Sequence, residues 1–195
     1  MPIRPPTHRA AGQARRAALL DAAVEVIAEN GVAGATHRAI AARARVPLST
    51  TSYFFASIDE LVAAAMELAA EGLIARIDAA RGEIVGSTVD EMVDRYVDLL
   101  FNVPQTFLAA EFEIYVHCRH QPALRDLAHR MMSGFERSAE ELLHAVGATD
   151  PYPAGRALIA LIDGFALQRF AWPRGADDRA QLATAMRTLV HAYVR

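Results

Sequence analysis

The chain has 195 residues and a net charge of −3, and just over half of its residues are apolar. This length suits a small module joined to a larger body, or one elongated domain. The single cysteine, Cys118, excludes an internal disulfide and therefore a bridged secreted scaffold. The sequence has no uncharged apolar run of about 18 residues and no apolar segment near its N-terminus. We therefore predict neither a membrane span nor a secretion signal, and we expect a cytoplasmic protein.

Charge is distributed unevenly along the chain. Residues 1–58 carry seven arginines against three acids, giving +4, whereas the remainder carries thirteen arginines and twenty acids, giving −7. A basic segment on an acidic body is expected where only one end of a protein approaches a polyphosphate. Arginines that cluster by chance on solvated helix faces are the alternative that charge alone leaves open.

Three helical patterns occupy the N-terminal part of the chain. The first covers 13–30, where apolar residues recur at helical spacing, and Gly31 follows as a left-handed cap. A short second helix covers 36–43 and begins at a capping threonine. Pro47 separates this helix from a third short helix, which is predicted over 48–53.

A fourth helix opens the larger part of the chain. Ser57 and Glu60 form a capping box, and the helical pattern continues to about Arg81. Five further helices are predicted, in chain order, from a Ser87-x-x-Asp90 cap, from Pro104, from Pro122 to Gly147, over Pro153–Trp172 and over Asp177–Val194. No alternating strand pattern occurs. The sequence therefore predicts an all-α protein of about nine helices.

Two short helices braced by a longer first helix are typical of proteins that place one helix in the major groove of DNA. The third helix offers four hydroxyls, from Ser49 to Ser52, which can bond base edges and phosphates, and the phenol of Tyr53. The start of the second helix can attract an anion through its free N–H groups. A solvated helical hairpin with serine and threonine caps is the alternative.

The candidate DNA-binding residues lie at the start of the second helix, in the turn and along the third helix. They are Thr36, His37, Arg38, Arg43, Arg45, Leu48, Ser49, Thr50, Thr51, Tyr53 and Phe54. We expect Ser49, Thr50 and Tyr53 to point outward. The residues that we expect to point into the core are Ile40, Phe55 and Leu61.

Three stretches, LLDAAVEVIAENG, ATHRAIAARARV and TSYFFASIDELV, carry a family resemblance. The segment from about Arg16 to Met66 resembles the DNA-binding domain of the TetR family of bacterial transcriptional repressors. Its last stretch is similar to that family's Tyr-x-Phe-x-Ser-Lys-Glu-x-Leu ending. The resemblance implies an N-terminal helix-turn-helix domain over 1–56, with the motif at about 36–55, and a ligand-binding and dimerisation bundle over 57–195. It also implies an Ω-shaped homodimer whose last two helices form the interface.

Four positions depart from the family pattern. Arg45 occupies the usual glycine of the turn, and Ser49 the usual glycine of the third helix. Phe54 stands where histidine or tyrosine is frequent, and Ile58 stands where a lysine or arginine commonly meets phosphate. One cation is lost and another is gained, so these departures concern individual contacts rather than DNA binding itself.

Aromatic and methionine side chains of the C-terminal bundle are candidates for an apolar cavity. The candidate ligand-binding residues are Met66, Tyr96, Phe101, Phe112, Tyr115, Met131, Phe135 and Phe165. Ordinary core packing is the alternative for each of them. The composition of this set favours a hydrophobic or aromatic effector. We expect the long helix from Ser57, as the only connection between the two domains, to transmit effector binding to the DNA-binding helices.

The stretch ALIALIDGFALQRFAW is apolar nearly all round, which exceeds what one core-facing stripe requires. We expect the surplus to pack against a second copy in a four-helix contact. The candidate dimer-interface residues are Leu158, Leu161, Ile162, Phe165, Phe170 and Leu189.

Motifs of catalysis are missing from the sequence. It has no Gly-x-Ser-x-Gly elbow, Walker loop, His-Glu-x-x-His or paired-cysteine motif, so we do not expect an enzyme. His117, Cys118 and His120 suggest a zinc site, but zinc would need further ligands. Surface histidines that interact with a helix dipole are the favoured interpretation, and we predict no metal and no cofactor.

The leading hypothesis is a ligand-controlled transcriptional repressor that reads a palindromic DNA operator as a homodimer and is released by a small hydrophobic effector. An α-helical interaction module that has lost DNA binding is one alternative. A small helical enzyme is the other.

Overall fold

Nine α-helices make up the described part of the chain. The computed structural model describes residues 6–84 and 88–194. The helices are α1 Pro6–Gly34, α2 His37–Arg43, α3 Leu48–Phe54, α4 Ile58–Ile84, α5 Val89–Phe101, α6 Gln105–His117, α7 Pro122–Ala145, α8 Pro151–Ala171 and α9 Ala176–Tyr193. In these two stretches, extended backbone pairs only at an isolated bridge between Ala148 and Val194. None of the described helices is both long and apolar enough to cross a bilayer. The all-α prediction is confirmed.

Contacts divide the chain into two compact units. The first unit, Met1–Ala69 with Pro104–His129, contains α1 to α3, the first part of α4, α6 and the start of α7. The second unit, Ala70–Val103 with Arg130–Arg195, contains the remainder of α4, α5, most of α7, α8 and α9. The units do not follow the predicted domain boundary after residue 56, because α6 is grouped with the N-terminal helices. The division into a DNA-binding domain over 1–56 and a ligand-binding domain over 57–195 stays a prediction.

Side-chain caps fix the starts of α2 and α4. Thr36 Oγ1 accepts a hydrogen bond from the N–H of Ala39 at 3.1 Å, which satisfies a backbone donor in the first turn of α2. Ser57 Oγ accepts from the N–H of Glu60 at 3.1 Å, and the Glu60 carboxylate accepts from the N–H of Ala56 at 2.6 Å. These bonds confirm the two helix starts that the sequence predicts there.

Other helix starts differ from the prediction. α5 is capped by Thr88, which forms a reciprocal capping box with Glu91, whereas the predicted cap Ser87 lies outside the described residues. α8 begins at Pro151, earlier than predicted, since a proline in the first turn loses no hydrogen bond. α1 begins at Pro6, also earlier than predicted. The presence of each helix was predictable from the sequence. Its first residue was not, because several polar or proline residues near each start could have formed the cap.

One apolar core holds the first unit together. α1 packs against α2, α3 and α6. The predicted core residues Ile40, Phe55 and Leu61 are buried, as expected. The buried residues that α1 contributes are Leu19, Leu20, Ala22, Ala23, Val26 and Ile27. Each of these leucine, isoleucine and valine side chains contributes about 1.5–3 kcal/mol when fully buried. α3 packs against α1 and α2 and so depends on this core for its position.

Ion pairs join α5 and α9 on the surface of the second unit. Asp94 and Asp98 pair with Arg187 and Arg179 of α9, and Asp90 Oδ1 lies 3.2 Å from Nε of Arg187. The acids recur every four residues and therefore lie on one face of α5. Part of the acidic surplus of the C-terminal sequence is thus paired within the unit.

α7 and α8 approach each other closely at Gly155. A Cβ atom at Gly155 would lie 3.1 Å from N of Glu140 and 3.2 Å from O of Glu136. Both neighbours are backbone atoms, which cannot rotate away as a side chain can. Gly72 of α4, in the same unit, has no heavy atom within 4 Å of a Cβ placed there.

We predict that Gly155→Ala destabilises the protein whereas Gly72→Ala does not. The added methyl at Gly155 overpacks the contact between α7 and α8, at a cost of about 1–3 kcal/mol. Alanine in place of Gly72 lowers the entropy of the unfolded chain and stabilises by up to about 1 kcal/mol. Urea denaturation of both variants measures the two effects. Equal effects of the two substitutions would contradict the close approach.

Candidate nucleic-acid interface

One threonine anchors α3 in the core, and the residues beside it face solvent. The side chain of Thr51 is fully buried, and its Oγ1 donates to the carbonyl oxygen of Leu48 at 2.7 Å. Ser49 is exposed, Thr50 is half-buried, and Tyr53 is 69% exposed. Since side chains radiate around a helix axis, burial of Thr51 turns the adjacent positions outward. α3 therefore presents hydroxyl groups on one accessible face.

The prediction that Thr51 contacts DNA is wrong. Its hydroxyl already donates to a backbone carbonyl, and a fully buried side chain cannot reach a base edge while α3 stays packed. Two other candidates on α3 keep some accessible surface: Leu48 is exposed, and Phe54 is half-buried with its ring edge-on to Tyr53 at 4.9 Å between centroids. A run of four hydroxyl residues does not reveal in the sequence which member points inward.

Two glutamates of α1 hold Arg43 at the end of α2. Nη1 of Arg43 donates to Glu25 at 2.9 Å and to Glu29 at 2.8 Å, and Nη2 also bonds Glu29. The hydrogen bond from Arg43 holds the pKa of Glu29 below its usual value. This arrangement is a fork-shaped clamp between α1 and α2. Three of its five guanidinium hydrogens are directed at these carboxylates, and the prediction that Arg43 binds DNA stays a prediction.

The other cations of this region are more accessible. Arg38 and Arg45 are exposed, and neither forms an ion pair with any described residue. Arg16 lies over the ring of Phe55, with 5.4 Å between its Cζ and the ring centroid. Arg4 lies outside the described residues. Arg38 and Arg45 are thus the predicted arginines that remain open to a polyanion.

The start of α2 carries two of the candidate residues. Thr36 is exposed, and its hydroxyl oxygen accepts the capping bond, which leaves its proton and one lone pair for further bonds. His37 is half-buried, and its Nδ1 is buried without a hydrogen-bond partner among the described residues. Thr36 and His37 both keep solvent-accessible surface, and their contact with DNA stays a prediction.

α1 is broken near its C-terminal end, and a carboxylate of α6 binds the break. Gly31 has φ 70° and ψ 174° inside the helix. Its φ is positive, as predicted, but its ψ lies outside the left-handed helical region, in a conformation open mainly to glycine. Glu113 Oε2 accepts from the N–H of Val32 at 3.3 Å. A Cβ atom on Gly31 would lie 2.9 Å from the same oxygen. His117 approaches the carboxylate from the next turn of α6, with 3.4 Å between Nδ1 and Oε2.

This contact corrects the expectation that the long helix α4 is the only connection between the DNA-binding helices and the ligand-binding domain. α6, which belongs to the predicted C-terminal domain, packs directly on α1 in the first unit. Sequence reasoning missed Glu113, because the partner of an acid within a largely apolar helix cannot be read from the sequence. Glycine after Asn30 was the only local signal of a break.

The candidate ligand-binding residues fall in both units. Met66, Phe112 and Tyr115 belong to the first unit. The others, Tyr96, Phe101, Met131, Phe135 and Phe165, belong to the second. Met66, Tyr96, Met131 and Phe135 are buried, whereas Phe101, Phe112, Tyr115 and Phe165 keep part of their surface. Their role in binding a ligand stays a prediction.

α6 carries a buried carboxylate that the sequence analysis missed. Glu111 is only 4% exposed, and Tyr115 donates its phenolic hydrogen to Glu111 Oε1 at 2.8 Å. The Tyr115 ring lies edge-on to Phe112, with 6.4 Å between centroids. The spacing of Glu111 from Phe107 and Ile114, at helical positions of one buried face, could have identified it.

Two residues of the second unit differ in how well they suit an apolar cavity. Burial raises the pKa of the Tyr96 phenol, and the nearby charge of Asp78 adds to this effect, so the phenol stays neutral. Phe101 instead contacts two guanidinium groups: Cζ of Arg169 lies 4.2 Å and Cζ of Arg179 lies 5.7 Å from its ring centroid. This charged environment is unlike the apolar pocket predicted for Phe101.

The candidate dimer residues divide by exposure. Leu158 is fully buried within its own unit, so its assignment to a dimer interface is wrong. Phe170 is exposed, and Leu161, Ile162, Phe165 and Leu189 are half-buried. Leu167, which belongs to the predicted apolar surplus of this stretch, is 56% exposed, and Trp172 is 69% exposed. Helical periodicity identified an apolar surplus on α8 without showing which residues face inward.

The histidines and cysteine at the end of α6 have other partners. Nδ1 of His117 lies 3.0 Å from the carbonyl oxygen of Glu113, and Cys118 Sγ donates to the carbonyl of Tyr115 at 3.1 Å. Nε of Arg119 donates to Nε2 of His120 at 2.7 Å. In residues 6–84 and 88–194, no group of three or more potential ligands is placed to hold a metal ion.

Comparison with known proteins agrees with the helix-turn-helix geometry. Residues 19–71 match the family of bacterial regulatory proteins of the tetR type, and residues 87–192 match the tetracyclin repressor-like C-terminal domain. A curated relative, the HTH-type nicotine-responsive transcriptional repressor HdnoR of Paenarthrobacter nicotinovorans, is 33% identical over 82% of this chain and 85% of its own.

Solved structures show the same likeness. The multidrug binding protein EbrR complexed with proflavin is 33% identical, with a TM-score of 0.60 over 90% of this chain and 99% of its own. A TetR-family member from Streptomyces coelicolor A3 is 30% identical, with a TM-score of 0.70 over 93% of this chain and 98% of its own. The chain therefore belongs to the TetR family of bacterial regulatory proteins, and it is a ligand-responsive DNA-binding regulator rather than an enzyme.

Proposed function

We propose that the protein is a cytoplasmic repressor that binds a palindromic operator as a homodimer and is released by a small aromatic effector. The observation that carries this proposal is the accessible hydroxyl face of α3, which Thr51 holds in position from the opposite side. Ser49 and Thr50 can exchange hydrogen bonds with base edges in a major groove, and Tyr53 can donate to a phosphate. Each subunit would place one α3 in a half-site.

We predict that Tyr53→Ala weakens operator binding without unfolding the protein. Tyr53 lies largely in solvent, so its loss should change the melting temperature little. It should remove a phosphate contact of about 1 kcal/mol in each subunit, or roughly thirtyfold in the affinity of the dimer. Fluorescence anisotropy with DNA flanking the gene measures the affinity. Thr51→Val is the matched control, because it should lower stability by about 1 kcal/mol through the lost hydrogen bond to Leu48. Normal operator affinity in Tyr53→Ala would show that α3 does not read this DNA.

The apolar surface of α8 supports a homodimer. Leu167, Phe170 and Trp172 are exposed near the C-terminal end of this helix, and half-buried Leu161 and Ile162 extend the apolar surface towards its middle. Apolar side chains that stay exposed along one helix are candidates for burial against a partner. A two-fold symmetric partner would cover the same residues on both copies.

We predict that Leu167→Glu converts the dimer to a monomer at micromolar concentration. The substitution places two new carboxylates in a symmetric apolar interface, where burial of unpaired charge is unfavourable. Leu68→Glu is the control, since Leu68 is 50% exposed on α4 and lies outside the proposed interface. Sedimentation velocity distinguishes the two states. A wild-type protein that sediments as a monomer would refute the proposed homodimer.

The contact between α6 and α1 supports a second link for effector control. The carboxylate of Glu113 binds the N–H of Val32 at the break in α1, and α1 packs against both helices of the helix-turn-helix motif. On the same helix α6, Phe112 and Tyr115 are candidate effector contacts. A ligand that favours a different position of α6 would therefore change the support of α2 and α3. The relatives named for nicotine response and for proflavin binding suggest nitrogen-containing aromatic compounds as effectors.

We predict that Glu113→Ala reduces the effector response. Allosteric effectors commonly change affinity by about 5–150-fold. If proflavin or nicotine weakens operator binding of the wild type by a factor in this range, the corresponding factor for the variant should be at least about threefold smaller. Val116→Ala, on the exposed face of α6, should keep the full response. Operator titrations with and without the compound measure both. An undiminished response in Glu113→Ala would contradict the proposed link.

A further inference from the structure

Arg45 has a backbone conformation that favours glycine. Its φ is 55°, and among the described residues it is the only residue other than glycine with a positive φ. The N–H of Arg45 donates to the carbonyl of Ala42 at 3.2 Å, and the N–H of Val46 donates to the carbonyl of Ala41 at 3.0 Å. These two bonds form a Schellman motif that ends α2, with Arg45 at the position where glycine is usual. A side chain at this position strains the backbone, and glycine would relieve the strain.

The Arg45 side chain gains nothing within the described protein that would offset this strain. It is exposed, and no ion pair or hydrogen bond of its guanidinium is formed with residues 6–84 or 88–194. Arg43, two residues earlier, is the opposite case, because Glu25 and Glu29 hold its guanidinium. The two arginines at the end of α2 therefore differ. Arg43 joins α2 to α1 through ion pairs, whereas the charge of Arg45 is exposed to solvent without an ion-pair partner among the described residues.

The location of Arg45 relates this charge to the DNA-binding surface. The residue lies in the turn between α2 and α3, two positions before Pro47, the N-terminal cap of α3. Guanidinium groups bind phosphate oxygens with two parallel hydrogen bonds, and contacts of this kind position a protein on the DNA backbone. Backbone strain retained beside a binding surface is typical of functional sites.

We propose that Arg45 is a phosphate clamp in the turn, kept at the cost of strain because it binds the DNA backbone beside the half-site read by α3. The inference rests on the proposed function of operator binding and adds a contact to it. A phosphate contact carries no sequence information, so the clamp acts on operator DNA and on unrelated duplex DNA alike.

The test uses the change Arg45→Gly in the full-length protein, which removes strain and charge together. We expect stability and DNA affinity to change in opposite directions. The melting temperature should rise by about 2 °C, because glycine adopts this backbone without strain. Because each dimer carries two copies of Arg45, affinity should fall by roughly sixtyfold at about 0.1 M salt, and the slope of log affinity against log salt should become shallower by about 1.8. A residue that is merely structural would not give this combination.

Three controls complete the design. Arg45→Lys keeps the charge and should retain the salt slope. Arg137→Gln, on the exposed surface of α7 in the second unit, makes the same charge change outside the helix-turn-helix motif and should leave the slope unchanged. Each protein is titrated with a 30-base-pair duplex from the DNA flanking the gene and with an unrelated duplex of equal length. This length is about three helical turns, enough for two half-sites.

The outcomes separate the inference from the proposed function. A wild type that binds both duplexes equally would refute operator recognition, while the slope measured on the unrelated duplex would still test Arg45. An Arg45→Gly variant that has the wild-type slope and affinity on both duplexes would overturn the phosphate clamp. If Arg137→Gln makes the salt slope shallower by the same amount, the effect comes from net charge and the phosphate clamp is likewise overturned.

Discussion

The burial of one helix, α1, determines how the DNA-binding part of the protein is organised. Its apolar face supplies the core against which α2 and α3 pack, and the same helix packs against α6. Glu25 and Glu29, on the more exposed side of α1, hold the end of α2 through Arg43. Any displacement of α1 therefore moves the supports of both short helices together. Helices of seven residues cannot maintain their positions by intrinsic propensity, so this dependence on α1 follows from their length.

Features set by neighbours in the sequence were largely predictable. The caps at Thr36 and Ser57 and the positive φ of Gly31 depend on residues within four positions, and each formed as the pattern indicated. The exposed hydroxyls of α3 and the buried Ile40 followed from helical periodicity. These features share a cause, since short-range hydrogen bonds and a helical period need no knowledge of the tertiary structure.

Features set by tertiary partners were not predictable from the sequence. Arg43 and Arg45 are two residues apart and chemically identical, yet only Arg43 meets the carboxylates of α1. Thr51 is indistinguishable in sequence from Thr50, and its burial depends on how α3 docks. Leu158 belongs to a helix that is apolar nearly all round, so periodicity could not decide whether it faces its own unit or another copy. In each case the deciding partner lies on a different helix.

The anchoring of α3 through a single inward threonine has a consequence for how such regulators diversify. The outward positions, including Ser49 and Tyr53, contribute little to the core and can be exchanged with little effect on folding. Surface substitutions away from special backbone conformations change stability by only about 0.5 kcal/mol. Under the proposed function, new operator preferences would therefore arise by stepwise substitution at these positions while the scaffold stays constant. Under that function, selection from a library varied at these positions would yield variants that bind a chosen DNA sequence, provided that Thr51 is kept.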